Sequence, residues 1–259
     1  MELVRQYRDT QARILDLVTP LPAAALATRV PGTPRWTVEQ LIAHLAGVAA
    51  DMVDDNSEGG DFASEGWTAR QVADRAGRPL PDVLAEWSRR TPEVLDLLAT
   101  PGRVDACAFD IFTHEHDLRG ALGLAGPSDA ARVAAMAGRV QGRVSHMVDA
   151  TGLPAIGLIH DDGEWVCGSG EVAVRGEAAT IEWYRTLFGR RSAAQILTYR
   201  WDGDPSPYFG LFNLFGPLPE ADVAEAGAPV PPEAGAPVPP EAGAPVPPAA
   251  GQESVVVKD

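Results

Sequence analysis

Lysine is almost missing from this chain: Lys258 is the one lysine among 21 basic residues. Positive charge in general is scarce, and 36 acidic residues leave a formal net charge of −15. That balance argues against nucleic acid or an anionic membrane surface as a partner. Cysteine is scarcer still. Cys107 and Cys167 are the pair, with no Cys-x-x-Cys spacing, so a disulfide framework is excluded and the usage suits a reducing, cytoplasmic setting. No apolar run approaches the roughly 20 residues of a membrane span. The first residues, Met1 to Asp9, carry charges where a secretory signal needs an apolar stretch, so none is expected. What remains is the composition of a soluble globular protein, 45% hydrophobic and 22% charged, with length enough for two domains.

Against that background one stretch stands out, Phe109-Asp110-Ile111-Phe112-Thr113-His114-Glu115-His116-Asp117-Leu118-Arg119. On a helix Asp110 and His114 lie one turn apart on one face, and Asp117 continues that face. His116 and Glu115 point elsewhere. A second amphipathic segment, Trp36 to Leu45, carries His44 on or beside its apolar stripe of Leu41, Leu45, Val48 and Met52. Thr37-Val38-Glu39-Gln40 has the form of a capping box that starts this helix. If the two helices pack face to face, His44, Asp110 and His114 can hold a divalent ion, zinc being the first choice, with coordination positions left open as in a catalytic site. The same residues also fit a blander reading, a hydrogen-bonded core histidine and a solvated polar helix face. His146 and His160 have no evident partner.

Helical periodicity covers residues 3–18, a short segment after Trp67-Thr68, about 81–98 with Pro92 expected to kink or interrupt it, 105–122, and Ser128 to about Ala150. Long helices with short loops predict a bundle over residues 1–150. After Gly152 the chain turns to short Val-, Ile- and Trp-rich segments. Strands are expected at 155–159, 164–167 and 171–175, with Asp161-Asp162-Gly163 as a hairpin turn. A helix at 178–188 and a strand at about 196–201 complete a small α/β domain over 151–219. The fold class is therefore α+β. Within residues 220–259 the unit Glu-Ala-Gly-Ala-Pro-Val-Pro-Pro occurs three times from Glu225, a composition that predicts an extended, disordered Pro-rich tail.

Trp36-Thr37-Val38-x-x-Leu41-Ile42-x-His44-Leu45 and Asp110-x-x-x-His114-x-x-Asp117-Leu118 resemble the two signatures of the mycothiol-dependent maleylpyruvate isomerase family, within the wider DinB-like fold. Leu187-Phe188-Gly189-Arg190-Arg191 and Trp201-Asp202-Gly203-Asp204-Pro205 resemble its small C-terminal domain. The resemblance implies a DinB-like helical bundle whose metal, usually zinc, is held by His44, Asp110 and His114; where the family has glutamate, this chain has the shorter Asp110. It also implies mycothiol, the low-molecular-weight thiol of actinobacteria, as cofactor, and attack by its metal-activated thiolate on a small-molecule electrophile, giving an S-transferase or a cis-trans isomerase. Asp117 would orient a ligand, and Arg190, Arg191 and Arg200 would be candidate anchors for substrate carboxylates. A thiol-independent metal-dependent hydrolase and a non-catalytic binding module stay open beside this reading. The oligomeric state is not set by the sequence.

Overall fold

The structure is a computed structural model that describes residues 2–56, 64–100, 105–126, 130–225 and 228. Four helices form a ring: α1 (Glu2–Val18), α3 (Val38–Val53), α5 (Leu80–Leu98) and α6 (Asp105–Ala121). Helix α3 packs on α5 and α6, and α1 packs on the same two from the other side. Each buries the apolar stripe that periodicity predicts, Val83, Trp87, Val94 and Leu98 from α5 and Tyr7, Ile14 and Val18 from α1. A short α2 (Ala23–Leu26) and a two-stranded ribbon, β1 (Arg29–Val30) with β2 (Thr33–Thr37), lead into α3. The ribbon was not anticipated, and it sets Trp36 at the edge of the bundle.

Thr37 starts α3 as the sequence predicts. Its hydroxyl accepts from the Gln40 N–H, and the Gln40 side chain accepts from the Thr37 N–H. Helix α4 (Glu65–Ala73), capped by Ser64, lies across α3. Pro92 does not interrupt α5, which runs unbroken from Leu80 to Leu98. The proline lies on the exposed face, and so does Ser88, whose carbonyl it leaves without an amide donor. Water can therefore take the missing bond.

Helix α7 (Ala130–Thr151) leads to the sheet and packs on it. The sheet has the order β4 (Gly163–Cys167), β3 (Ala155–His160), β5 (Val172–Glu177), β6 (Arg200–Asp202). β3 and β4 form the expected antiparallel hairpin, with His160 opposite Gly163, whereas β3 and β5 are parallel. Between β5 and β6 come α8 (Thr180–Leu187) and α9 (Ala193–Leu197). The strand expected from 196 begins only at Arg200, because Ser192 and Gln195 form a second capping box and wind the preceding residues into α9.

The bundle and the sheet share one continuous hydrophobic core that runs from Leu3 to Phe212. The chain is thus a helical bundle followed by a small sheet-containing unit, the α+β architecture expected. After a 3₁₀ turn at Ser206–Leu211, residues up to Glu225 stay attached to the fold. Val223 is buried, and its N–H and carbonyl both bond the Gln195 side chain. The repeat tail beyond Glu225, Ala228 apart, lies outside the described residues.

Candidate metal centre

Helices α3 and α6 bring His44, Asp110 and His114 together, with one ligand atom from each within 4.8 Å of the others. Asp110 Oδ1 lies 3.4 Å from His44 Nε2 and 3.2 Å from His114 Nε2. The two imidazoles meet edge to face, 5.2 Å between centroids. Both rings are buried, and the Asp110 side chain is 16% exposed. Trp36 from β2 lies against His44 at 4.7 Å between centroids.

The far nitrogens of both rings are held. Gln71 Nε2 donates to Asp51 Oδ2 at 2.8 Å, and a carboxylate can only accept, so the Gln71 amide oxygen must face His44. That oxygen is 2.7 Å from His44 Nδ1, which therefore carries the proton. In the same way Asp117 Oδ2 accepts from His114 Nδ1 at 2.8 Å. In the neutral rings both Nε2 atoms then present lone pairs to a carboxylate oxygen, an arrangement that repels itself unless a cation sits among them. Asp110 Oδ2 is also buried with no hydrogen-bond partner. The donor set, its outer hydrogen bonds and this orphaned oxygen fit a divalent ion.

The titration behaviour follows from the same crowding. Burial by itself would raise Asp110, but His114 and His44 hold it well below the usual carboxylate range. Burial would lower His114, yet Asp110 and Asp117 overcome it and raise the ring above its ordinary value. The raised His114 pKa favours a proton where a cation would otherwise sit. The chain's own thiols are the opposite case. Burial and the charge of Asp110 push Cys107 far up, and burial pushes Cys167 up to about 12.

Asp117 is fully buried and anchors His114 to the sheet unit. Arg185 Nη2 donates to its Oδ1 at 2.6 Å, and Arg190 donates to both oxygens at 3.2–3.3 Å. Despite burial, Arg190 and Arg185 hold its pKa well below the ordinary value. Arg190 is thereby committed to Asp117. Arg191 is committed to Glu182 through bonds of 2.6 and 2.8 Å. Arg200 lies exposed on the edge strand β6, paired with Glu177, and is not brought to the cluster. Glu115 and His116, which point away from the metal face, are buried on other sides of α6; Glu115 takes two bonds from Arg13.

Sequence reasoning missed Gln71, Asp51 and Arg185. A trace of the first is Gly47 in the middle of α3. A Cβ there would meet Gln71 Cβ at 2.5 Å, so only glycine lets α4 approach far enough for Gln71 to reach His44. Gly32 plays the same part for Asp117, whose carboxylate fills the space a side chain would take.

A four-helix ring with two histidines, one carboxylate and open positions between α3 and α6 defines a bundle-type candidate metalloprotein. Residues 7–108 match the family model described as Mycothiol maleylpyruvate isomerase N-terminal domain, the family the sequence signatures resemble. The match includes His44 and ends just before Asp110 and His114. Two solved structures are similar to this chain. One, the mycothiol-dependent maleylpyruvate isomerase, is 13% identical with a TM-score of 0.49. The other, a histidine-to-alanine mutant of the mycothiol-dependent maleylpyruvate isomerase, is 11% identical with a TM-score of 0.47. Each likeness covers 73% of this chain and 88% of the other. No curated protein matches the chain.

Proposed function

We propose that the chain is a metal-dependent enzyme that uses mycothiol to attack a small electrophile, as a cis-trans isomerase or an S-transferase. The observation that carries the reading is the meeting of two imidazole lone pairs and an orphaned carboxylate oxygen between α3 and α6. His44, Asp110 and His114 would hold the ion, and Asp110 would offset one of its charges. When bound, such an ion favours thiolate over thiol at neutral pH and so supplies the nucleophile. The protein's own residues do the rest by positioning. Gln71 and Asp117 keep both Nδ1 protons in place, so that both Nε2 atoms stay free to bind metal. Arg190 and Arg185 keep Asp117 ionised and in place. Cys107 and Cys167 are held as thiols, so a nucleophilic sulfur has to come from a separate molecule.

The match of residues 7–108 supports mycothiol as that molecule. The test is turnover of maleylpyruvate, and conjugation of a chromogenic electrophile, with and without mycothiol. The reading expects turnover that requires the thiol and is lost in His114→Ala. Turnover that proceeds equally well without any thiol, and yields products cleaved by water, would replace this reading with metal-dependent hydrolysis.

A further inference from the structure

On the other side of α6 from the metal cluster lies a cavity of about 370 Å³, between the end of α6, the start of α7, the β3–β4 turn and α8. Its polar floor is made by Arg185 and Arg191, only 1% and 2% exposed. His116 lines the same space. It is 5% exposed, its Nε2 has no hydrogen-bond partner, and burial together with Arg185 lowers its pKa to about 3.

One group of the chain enters this cavity from outside the bundle and sheet. Glu225 Oε1 accepts from Arg185 Nη2 at 2.5 Å and lies 3.4 Å from Arg191 Nη1. Room for it is built in. A Cβ on Gly120, inside α6, would meet Glu225 Cβ at 2.8 Å, so glycine at this helical position leaves the space that Glu225 uses. The approach is fixed two and three residues upstream, where Val223 bonds Gln195 and Asp222 accepts from the Ser192 hydroxyl.

The charges explain why a carboxylate belongs there. Three buried guanidinium groups, Arg185, Arg190 and Arg191, meet three carboxylates, Asp117, Glu182 and Glu225. Remove Glu225 and one buried positive charge is left over, an expensive state that another anion would relieve. Asp161 and Asp162 on the rim repel small free anions, which favours an acid delivered on a tether.

Glu225 is also the first residue of the first Glu-Ala-Gly-Ala-Pro-Val-Pro-Pro unit, and Glu233 and Glu241 head the other two. The Ala228 N–H bonds back to the Glu225 carbonyl at 3.0 Å, and every unit repeats the Glu-Ala-Gly-Ala sequence. We propose that this cavity is a binding site for the repeat unit of the chain's own tail, with its Arg185–Arg191 end engaged here by Glu225, and that Glu233 or Glu241 can take the place of Glu225. Exchange between units closes only eight or sixteen extra residues, which adds little entropy cost.

Two variants of the full chain test this, Glu225→Gln and the triple Glu225→Gln/Glu233→Gln/Glu241→Gln. The thermal midpoint of the triple should fall by several degrees, and that of the single variant by less than half as much. Equal falls, or none in either, would overturn the proposal. A labelled Glu-Ala-Gly-Ala-Pro-Val-Pro-Pro peptide, followed by fluorescence anisotropy, should bind the triple variant roughly tenfold or more tighter than wild type, whose site is already filled by a tethered competitor. No binding to the folded triple variant, or equal binding of the Gln-headed peptide or of free glutamate, would also overturn it. None of these readouts depends on turnover.

Discussion

At the scale of single residues, the candidate metal centre rests on where two protons sit. The Asp51–Gln71–His44 chain and the Asp117–His114 pair each place the imidazole proton on Nδ1, which frees Nε2. Outer partners of this kind tune metal affinity by about 10- to 100-fold. Gln71→Leu keeps the volume and the burial but removes the acceptor. It should weaken metal binding within that range without unfolding the protein, as measured by competition with a chromophoric chelator. Unchanged affinity would show that Gln71 does not orient His44.

His114 also sets a pH dependence. Its folded-state pKa is raised above the ordinary 6.5 by Asp110 and Asp117, against burial. In the metal-free chain the protonated ring therefore adds stability that is complete below about 6.5 and is lost as pH rises through the raised value. A bound cation replaces the proton. Urea midpoints of metal-stripped protein should fall relative to metal-loaded protein as pH rises above 6.5. Parallel profiles would contradict the assignment of His114 as a ligand.

At the scale of elements, the distance between α3 and α4 decides whether Gln71 reaches His44. Gly47→Ala improves helix propensity by about 1 kcal/mol, but it overpacks a contact with Gln71 that costs about 1–3 kcal/mol. The net change should be destabilising, with metal affinity reduced alongside, and urea denaturation with chelator titration reads both. A stabilised variant with intact affinity would mean that α4 does not need this approach.

Legibility in the sequence follows the same division. The Thr37–Gln40 cap and the Asp110–His114 spacing were readable because each is decided by residues no more than four apart in the chain. Gln71 was not, since nothing local shows that α4 will cross α3 27 residues further on. The end of the sheet misled for a related reason. Ile196 to Trp201 has strand-like composition, yet the Ser192–Gln195 cap just before it commits the chain to a helical turn first. Pro92 was expected to kink or interrupt α5, and it does not interrupt it, because the pattern shows the lost N–H and not the solvent that can replace it.

At the scale of the whole molecule, Asp117 is the joint between bundle and sheet. It receives His114 from its own helix, Arg185 from α8 and Arg190 from the loop after α8, all around a fully buried carboxylate. Removing one partner of a buried ion pair costs about 3–5 kcal/mol. Arg185→Met should lose stability of that order and loosen the sheet unit from the bundle, seen as a broadened or split unfolding transition. A sharp transition with less than about 1 kcal/mol lost would show that the joint is elsewhere.

The shared hydrophobic core and this joint explain how a sheet unit can bear on a candidate metal site it does not line. The sequence pointed to Arg190 as a substrate anchor because guanidinium suits carboxylates. The fold supplies the carboxylate internally, from Asp117. The account as a whole stands on the metal. Elemental mass spectrometry of the full chain, purified without a histidine tag, should find close to one divalent ion per chain in the wild type and essentially none in His114→Ala. Wild-type protein that holds no metal even after incubation with zinc would contradict the assignment of His44, Asp110 and His114, and with it the proposed chemistry.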